Sequence, residues 1–93
     1  MRIKLVKDKA PFKAPIQIYN KGAIVRNRFG GDSIELNALE LSVYDTIIGL
    51  DSMLAQANAT TNYVKHKNQN EEFHRGLDWF MKFNPKAYMI LLD

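Results

Sequence analysis

The chain has no cysteine among its 93 residues. Disulfides and thiolate metal sites are therefore excluded, and the redox compartment is left open. The sequence also has no apolar run close to the roughly 20 residues that span a bilayer, so we expect no membrane contact. Its first residues alternate charged and apolar side chains and lack the apolar core of a signal peptide. We therefore expect a protein that is not secreted by that route.

Groups that carry catalysis or hold cofactors are scarce. The sequence has no glycine-rich phosphate loop and no pair of histidines at metal-ligand spacing. Glu71 and His74 match half of the motif of di-iron helical bundles, but the further carboxylates of such a site are missing. An active site needs a nucleophile or a metal with supporting groups around it. We predict a non-enzymatic protein with no catalytic, metal-binding or cofactor-binding residues and no cofactor.

Charge is divided unevenly along the chain, which carries a net charge of +3. Residues 1–31 contain eight bases and one acid, whereas residues 32–93 contain five bases and nine acids. A protein divided in this way can attract a polyanion at one end, or neutralise a neighbouring copy head to tail. The expected basic surface consists of Lys4, Lys7, Lys9, Lys13, Arg26 and Arg28.

The first third of the chain has the pattern of short strands. Residues 2–6 alternate in the manner of a half-buried strand, and a proline-containing linker follows them. Residues 16–19 and 23–26 are apolar runs on either side of Asn-Lys-Gly, which predicts a β-hairpin with Gly22 free to adopt positive φ. A further short strand is expected at residues 33–36, after a Gly-Gly pair that breaks the chain.

The remainder has helical patterning. Asn37 and Glu40 have the spacing of a reciprocal capping box, and apolar residues then recur at intervals of three and four. This pattern predicts a helix over residues 38–57. A polar loop separates it from a second helix over residues 70–83. An Asn-Pro pair then suits the start of a short terminal helix over residues 85–92.

These elements predict an α+β fold in which a small antiparallel β-hairpin or sheet, or an extended N-terminal arm, packs on a helical hairpin plus a short C-terminal helix. Residues 1–36 would form the basic strand or arm region and residues 37–93 the helical region, together in one domain. Gly49 lies in the interior of the first helix, where glycine costs about 1 kcal/mol relative to alanine. We expect it to admit a close neighbour.

Aromatic residues and methionine are abundant, with one Trp, four Tyr, five Phe and four Met. The bulky residues from Trp79 to Phe83 are almost consecutive, so they point around the whole helix and cannot all enter one small core. Such a composition is typical of interface anchors. The predicted partner interface consists of Trp79, Phe83, Tyr88, Ile16, Ile18 and Ile24. The alternative is a three-helix core in which the stems of Lys82 or Lys86 half cover Trp79.

Nucleic-acid binding is the alternative use of the basic region. Phe12, Tyr19 and Phe29 are interleaved with the bases, as base-stacking side chains would be. The bases are nevertheless spread over about thirty residues, and Tyr19 and Phe29 would serve equally well in a core. Under this hypothesis the chain is a small regulator that binds nucleic acid weakly, or binds the transcription machinery, through its N-terminal arm.

Three segments of the helical region combine caps and core aromatics: Glu40-Leu41-Ser42-Val43-Tyr44-Asp45, Arg75-Gly76-Leu77-Asp78-Trp79-Phe80 and Asn84-Pro85-Lys86-Ala87-Tyr88. In these segments the chain resembles short uncharacterised proteins encoded by tailed bacteriophages, over residues 38–50 and 73–93. The resemblance implies a virion structural protein, as in a capsid or head-tail region, or a modulator of a host enzyme. It implies a place in the virion or the host cytoplasm and assigns no functional residue. We expect other protein subunits of an assembly as partners, in an oligomer or hetero-complex.

Overall fold

The computed structural model describes residues 5–59 and 67–93. Two antiparallel strands, β1 (Ala23–Arg26) and β2 (Ser33–Leu36), form a two-stranded sheet. We call residues 23–36 the hairpin. Its inner face packs on the helices through Val25, Ile34 and Leu36, which is how a short sheet buries its apolar side.

Three helices follow the sheet, and together they make the small α+β fold that the sequence predicts. Helix α1 spans Ala38–Ala59 and helix α2 spans Lys67–Phe83. The short helix α3 (Pro85–Ala87) continues into a π-helical turn, Tyr88–Leu92. Neither these helices nor any other in the described ranges is long and apolar enough to cross a membrane.

The predicted hairpin between residues 16–19 and 23–26 is wrong. Residues 16–19 form no strand, and β1 pairs instead with the following strand, β2. Gly22 does not adopt positive φ. A side chain at Gly22 would overlap the carbonyl oxygen of Leu36, so glycine is needed there for close backbone approach.

The turn that forms lies between β1 and β2. Gly30 and Gly31 have φ values of 94° and 103°, which glycine adopts without the steric cost of a side chain. Asn27 organises the same turn, because its Oδ1 accepts a hydrogen bond from Phe29 N at 2.7 Å and its carbonyl oxygen accepts one from Gly30 N at 2.9 Å. These local bonds explain why the chain reverses here rather than at residues 20–22.

The predicted strand over residues 2–6 falls partly outside the described residues, which begin at Leu5. Leu5 and Val6 are not in a strand. Residues 5–22, which we call the arm, run over the helices without regular structure. Leu5 and Phe12 pack on the core, and Val6 accepts a hydrogen bond at 2.9 Å from Trp79 Nε1. The arm is therefore docked on the helical region.

The capping box of α1 is confirmed. Asn37 N donates to Glu40 Oε1 at 2.9 Å, and Glu40 N donates to Asn37 Oδ1 at 2.8 Å. Each side chain therefore satisfies a backbone N–H that has no partner within the helix. The helix predicted over residues 38–57 is confirmed as α1.

The second half of the prediction is also confirmed, with shifted ends. Helix α2 starts at Lys67, before the predicted start at residue 70, and the middle of the predicted loop, residues 60–66, lies outside the described residues. The short terminal helix over residues 85–92 is present. Asn84 caps it through a 3.2 Å hydrogen bond from Ala87 N, with Pro85 in the first turn. Its second part widens into the π-helical turn, in which Asp93 N donates to Tyr88 O.

The core lies between α1, α2 and the inner face of the sheet. Its fully buried large side chains are Leu36, Val43, Ile47, Trp79 and Phe80. Gly76 sets the closest approach of the two long helices, since a methyl group there would lie 2.6 Å from Ile47 Cγ1. Nothing lies within 4 Å of the corresponding position at Gly49. Gly76, not Gly49, is therefore the glycine that admits a close neighbour.

Candidate interaction surface

The outer face of the hairpin carries a largely exposed apolar side chain. In the antiparallel register Ile24 is opposite Glu35 and Arg26 is opposite Ser33. Residues opposite one another project on the same face, so these four side chains point away from the core. Ile24 is 72% exposed. It therefore presents a β-branched side chain between charged neighbours on an open sheet face.

The turn of the hairpin presents a still more exposed aromatic residue. Phe29 is 86% exposed, although its backbone N–H is held by Asn27. The guanidinium carbon of Arg28 lies 5.0 Å from the centroid of the Phe29 ring, within the range of a cation–π contact. The ring is thus displayed on an ordered turn.

Two side chains fix this turn to the helical region from either side. Asn27 Nδ2 donates to the carbonyl oxygen of Ile90 in the C-terminal turn at 2.7 Å. Arg28 forms an ion pair with Asp51 of α1 at 2.9 Å, with side chains 39% and 40% exposed. Such an exposed pair contributes about 1 kcal/mol or less. Together the two contacts orient the turn, which lowers the entropy that a partner must remove on binding Phe29.

The six residues of the predicted interface differ in how deeply they are buried. Trp79 is only 1% exposed, and its ring packs edge-on against Phe80 and Phe83, with centroids 5.1 and 5.9 Å away. Trp79 is a core residue, which corrects the expectation of an exposed anchor. Phe83 and Tyr88 are partly buried against the same core.

The three isoleucines of the predicted interface are more accessible. Ile16 is half-buried in the arm, whereas Ile18 and Ile24 are exposed. Of these, Ile24 shares the hairpin with Phe29. From the sequence, Phe29 is expected either to stack on bases or to lie in the core. Its position in a turn, between Asn27 and the two glycines, is the sequence feature that indicates exposure.

The predicted basic surface is divided between the arm and the hairpin. Lys7, Lys9 and Lys13 are exposed on the arm, and Arg26 is exposed on β1. Arg28 is partly neutralised by Asp51, and Lys4 lies outside the described residues. The bases therefore do not form one continuous stripe along a single element.

A hydrogen bond from the arm to α1 perturbs a tyrosine. The Tyr19 hydroxyl donates to Asp45 Oδ2. This bond, reinforced by the negative charge of Asp45, raises the pKa of Tyr19 because ionisation would remove the bond and set two anions together. Tyr44 also has a raised pKa, in this case chiefly because burial disfavours the phenolate.

A cleft of about 530 Å³ lies between the arm, α1 and α2. Its apolar lining includes Ile16, Leu50 and Met53. Of the two glutamates that line it, Glu72 pairs with Arg75 and accepts hydrogen bonds from Lys13 N at 3.1 and 3.2 Å. The lining as a whole suits an apolar group.

The acidic and histidine side chains do not assemble into a metal site within residues 5–59 and 67–93, where no group of three could hold an ion. His74 makes an edge contact with Phe73, with ring centroids 5.7 Å apart. The most distinctive exposed feature of the described chain is therefore the outer face and turn of the hairpin. No protein-family model, curated protein or solved structure matches this chain.

Proposed function

We propose that this protein is a non-enzymatic component of a larger protein assembly, such as the capsid or head-tail region of a tailed-phage virion. The hairpin is its contact surface, and Phe29 and Ile24 are the anchors that a neighbouring subunit covers. The observation that carries the proposal is the 86% exposure of Phe29 on a turn held in place by Asn27 and Arg28.

The chemistry of the hairpin supports a protein partner. Aromatic and aliphatic side chains that are ordered before binding are the usual anchors of protein interfaces. Asp32 and Glu35 lie on the same hairpin as Arg26, so the surface has mixed charge and would repel part of a polyanion. The sequence resemblance to tailed-phage proteins supplies the virion setting for the proposal.

The test is quantitative mass spectrometry of purified virions that carry either the wild-type chain or Phe29→Ala. The wild-type chain should be present at a fixed copy number per particle. Truncation of an interface anchor typically costs about 2 kcal/mol or more, so Phe29→Ala should reduce incorporation by tenfold or more. Met89→Ala is the matched control, because Met89 is also exposed, at 68%, but lies on the C-terminal turn.

Two results would contradict the proposal. One is absence of the chain from purified particles. The other is an equal loss of incorporation for the Phe29 and Met89 variants, which would show that the hairpin has no special role. Gene order gives a rapid first check, since neighbouring capsid and portal genes favour a virion component and neighbouring early genes favour a regulator.

A second candidate function is a small regulator that binds nucleic acid or the transcription machinery through the basic residues. It is supported by Lys7, Lys9 and Lys13, which are exposed and form no ion pair with other described residues. The test is DNA or RNA binding across a salt series, because each neutralised phosphate steepens the salt dependence.

A variant with five substitutions sharpens that test. Affinity should vanish when Lys4, Lys7, Lys9, Arg26 and Arg28 become Gln, and persist when Lys82 and Lys86 of the helical region become Gln. Binding that is absent or independent of salt would rule out this regulator.

A further inference from the structure

The outer edge of β1 has backbone hydrogen-bonding groups with no partner among the described residues. Asn27 N donates to Asp32 O at 3.0 Å, so the polar groups of Asn27 face the second strand. In an antiparallel pair the N–H and C=O of one residue point the same way, and the direction alternates along the strand. Ala23 and Val25 therefore point toward β2, and Ile24 and Arg26 point outward.

Nothing in the described part of the chain covers this edge. No hydrogen bond other than those of the β1–β2 pair reaches Ile24 or Arg26, and both residues are exposed. Exposed strand edges pair readily with another extended segment. Such strand addition supplies main-chain hydrogen bonds, while alternate side chains supply specificity.

The charges beside β1 define the partner. Lys21 and Arg26 are exposed on either side of Ile24, and neither forms an ion pair with another described residue. Glu35 lies on the same outer face but on the far strand. An added strand beside β1 would therefore meet one β-branched side chain and two positive charges that form no ion pair with another described residue.

Charge argues against a second copy beside β1. Two β1 edges paired antiparallel would bring Lys21 and Arg26 of one copy close to the same two positive charges of the other, and like charges on paired strands are destabilising. An acidic segment avoids this repulsion.

We propose that the β1 edge binds an extended segment of another protein in which acidic and apolar side chains alternate at every second position, so that both kinds lie on one face of the added strand. The segment adds a third strand, with its backbone bonded to Ile24 and Arg26, an apolar side chain against Ile24 and acidic side chains near Lys21 and Arg26. This inference rests on the proposed function and names the partner chemistry of the same hairpin.

The first experiment titrates the full-length protein with a capped Glu-Thr-Val-Thr-Glu-Thr hexapeptide, which places glutamate and valine on one face of a strand, followed by amide NMR. The largest shifts should occur at the amides of Ile24 and Arg26. The peptide with lysine in place of glutamate should bind more weakly, and Arg26→Glu should reduce that preference by roughly fivefold for one cross-strand charge pair. Equal binding of the two peptides, or shifts confined to the cleft, would overturn the proposal.

Backbone pairing is tested separately from side-chain charge. Ile24→Pro removes an N–H that the β1–β2 pair does not use, and should abolish peptide binding while circular dichroism remains that of the folded protein. Ile24→Val keeps the N–H and should bind normally. The glutamate-containing hexapeptide N-methylated at every second nitrogen, on the edge facing β1, should also lose binding. If that peptide binds like the unmethylated one, strand addition is excluded whatever the folding of the proline variant.

Other occupants would appear as distinct results. Self-association that Ile24→Pro abolishes would assign the edge to a second copy, and an oligonucleotide that shifts the same amides more strongly than the peptide would assign it to nucleic acid. Either result overturns the proposal. If Phe29→Ala blocks incorporation into virions while Ile24→Pro does not, strand addition fails and the proposed function stands. If neither variant affects incorporation, the proposed function fails.

Discussion

At the scale of single residues, two glycines in the long helices occupy opposite environments. A methyl group at Gly76 would lie 2.6 and 2.9 Å from two carbons of Ile47, and 3.2 Å from Phe12 Cζ. Overpacking of this kind costs about 1–3 kcal/mol, which outweighs the helix propensity of alanine. We expect Gly76→Ala to lower the free energy of unfolding, measured by urea denaturation.

Gly49→Ala is the matched control for that measurement. Gly49 is exposed in α1 with open space around it, so alanine should raise stability by up to about 1 kcal/mol through helix propensity. If the two substitutions shift stability in the same direction, the close approach of α1 and α2 at Gly76 is not as described.

The raised pKa of Tyr44 predicts how the stability of the protein depends on pH. This pKa is raised above the ordinary value of 10.0, mainly by burial, so the unfolded chain loses this proton at lower pH than the folded chain. The stability that this group contributes is complete below about pH 10 and is lost as pH rises through the raised pKa. Urea midpoints at pH 8 and pH 11 should therefore differ less in Tyr44→Phe than in the wild type. An unchanged difference would contradict the raised pKa.

At the scale of elements, one carboxylate joins the starts of two helices. Glu40 Oε1 accepts from Asn37 N, and its Oε2 accepts from Asn84 Nδ2 at 2.9 Å. Asn84 in turn accepts from Ala87 N through Oδ1. The cap of α1 and the cap of α3 thus share a side-chain hydrogen bond, which the sequence spacing of each cap alone does not reveal.

A double-mutant cycle can test this junction. In Glu40→Gln the new amide would face the amide of Asn84 as donor against donor, and we expect a loss of about 1–2 kcal/mol. Asn84→Asp alone places two carboxylates together and should also destabilise the protein. The double variant restores one donor and one acceptor, so its loss should be clearly smaller than the sum of the two. Additive losses in thermal or urea unfolding would show that the side chains do not interact.

The elements also show why some features can be predicted from sequence and others cannot. The Asn37–Glu40 cap depends on residues three apart, so its spacing is sufficient to predict it. The pairing partner of β1 depends on which of two turns with similar residues forms. The turn at Gly30 and Gly31 forms with the local hydrogen bonds of Asn27. The close backbone approach at Gly22 depends on the position of Leu36 and cannot be predicted from local sequence.

The residues of the candidate interaction surface were also only partly predictable from the sequence. Ile24 could be predicted as exposed because it alternates with inward-facing neighbours in a strand. The burial of Trp79 could not be predicted, because the indole N–H bonds to the carbonyl oxygen of Val6, 73 residues earlier in the chain. Aromatic abundance alone does not distinguish a core side chain from an interface anchor.

At the scale of the whole molecule, the basic and acidic parts of the chain contact each other, and the ion pair of Arg28 with Asp51 compensates part of the uneven charge. The N-terminal third binds acidic side chains of both long helices, since Tyr19 donates to Asp45, Arg28 pairs with Asp51, and the backbone of Lys13 donates to Glu72. These contacts, together with the packing of Leu5 and Phe12 on the core, join the arm and the hairpin to the helical region. The outer face of the hairpin, with Ile24, Arg26 and Glu35, takes part in none of them.

Docking of the arm predicts that its release is controlled by Phe12, which packs on the core beside Gly76. Truncation of a buried phenylalanine costs about 3–5 kcal/mol, and less for a side chain that is only half-buried. Because Phe12→Ala weakens the contact between the arm and the helices, the variant should favour local opening of the arm. Trypsin should then cleave after Lys7, Lys9 or Lys13 at least tenfold faster than in the wild type under native conditions. Ile18→Ala, which shortens an arm residue that is 45% exposed, should leave the cleavage rate nearly unchanged, and equal acceleration by both variants would show that the arm is not held through Phe12.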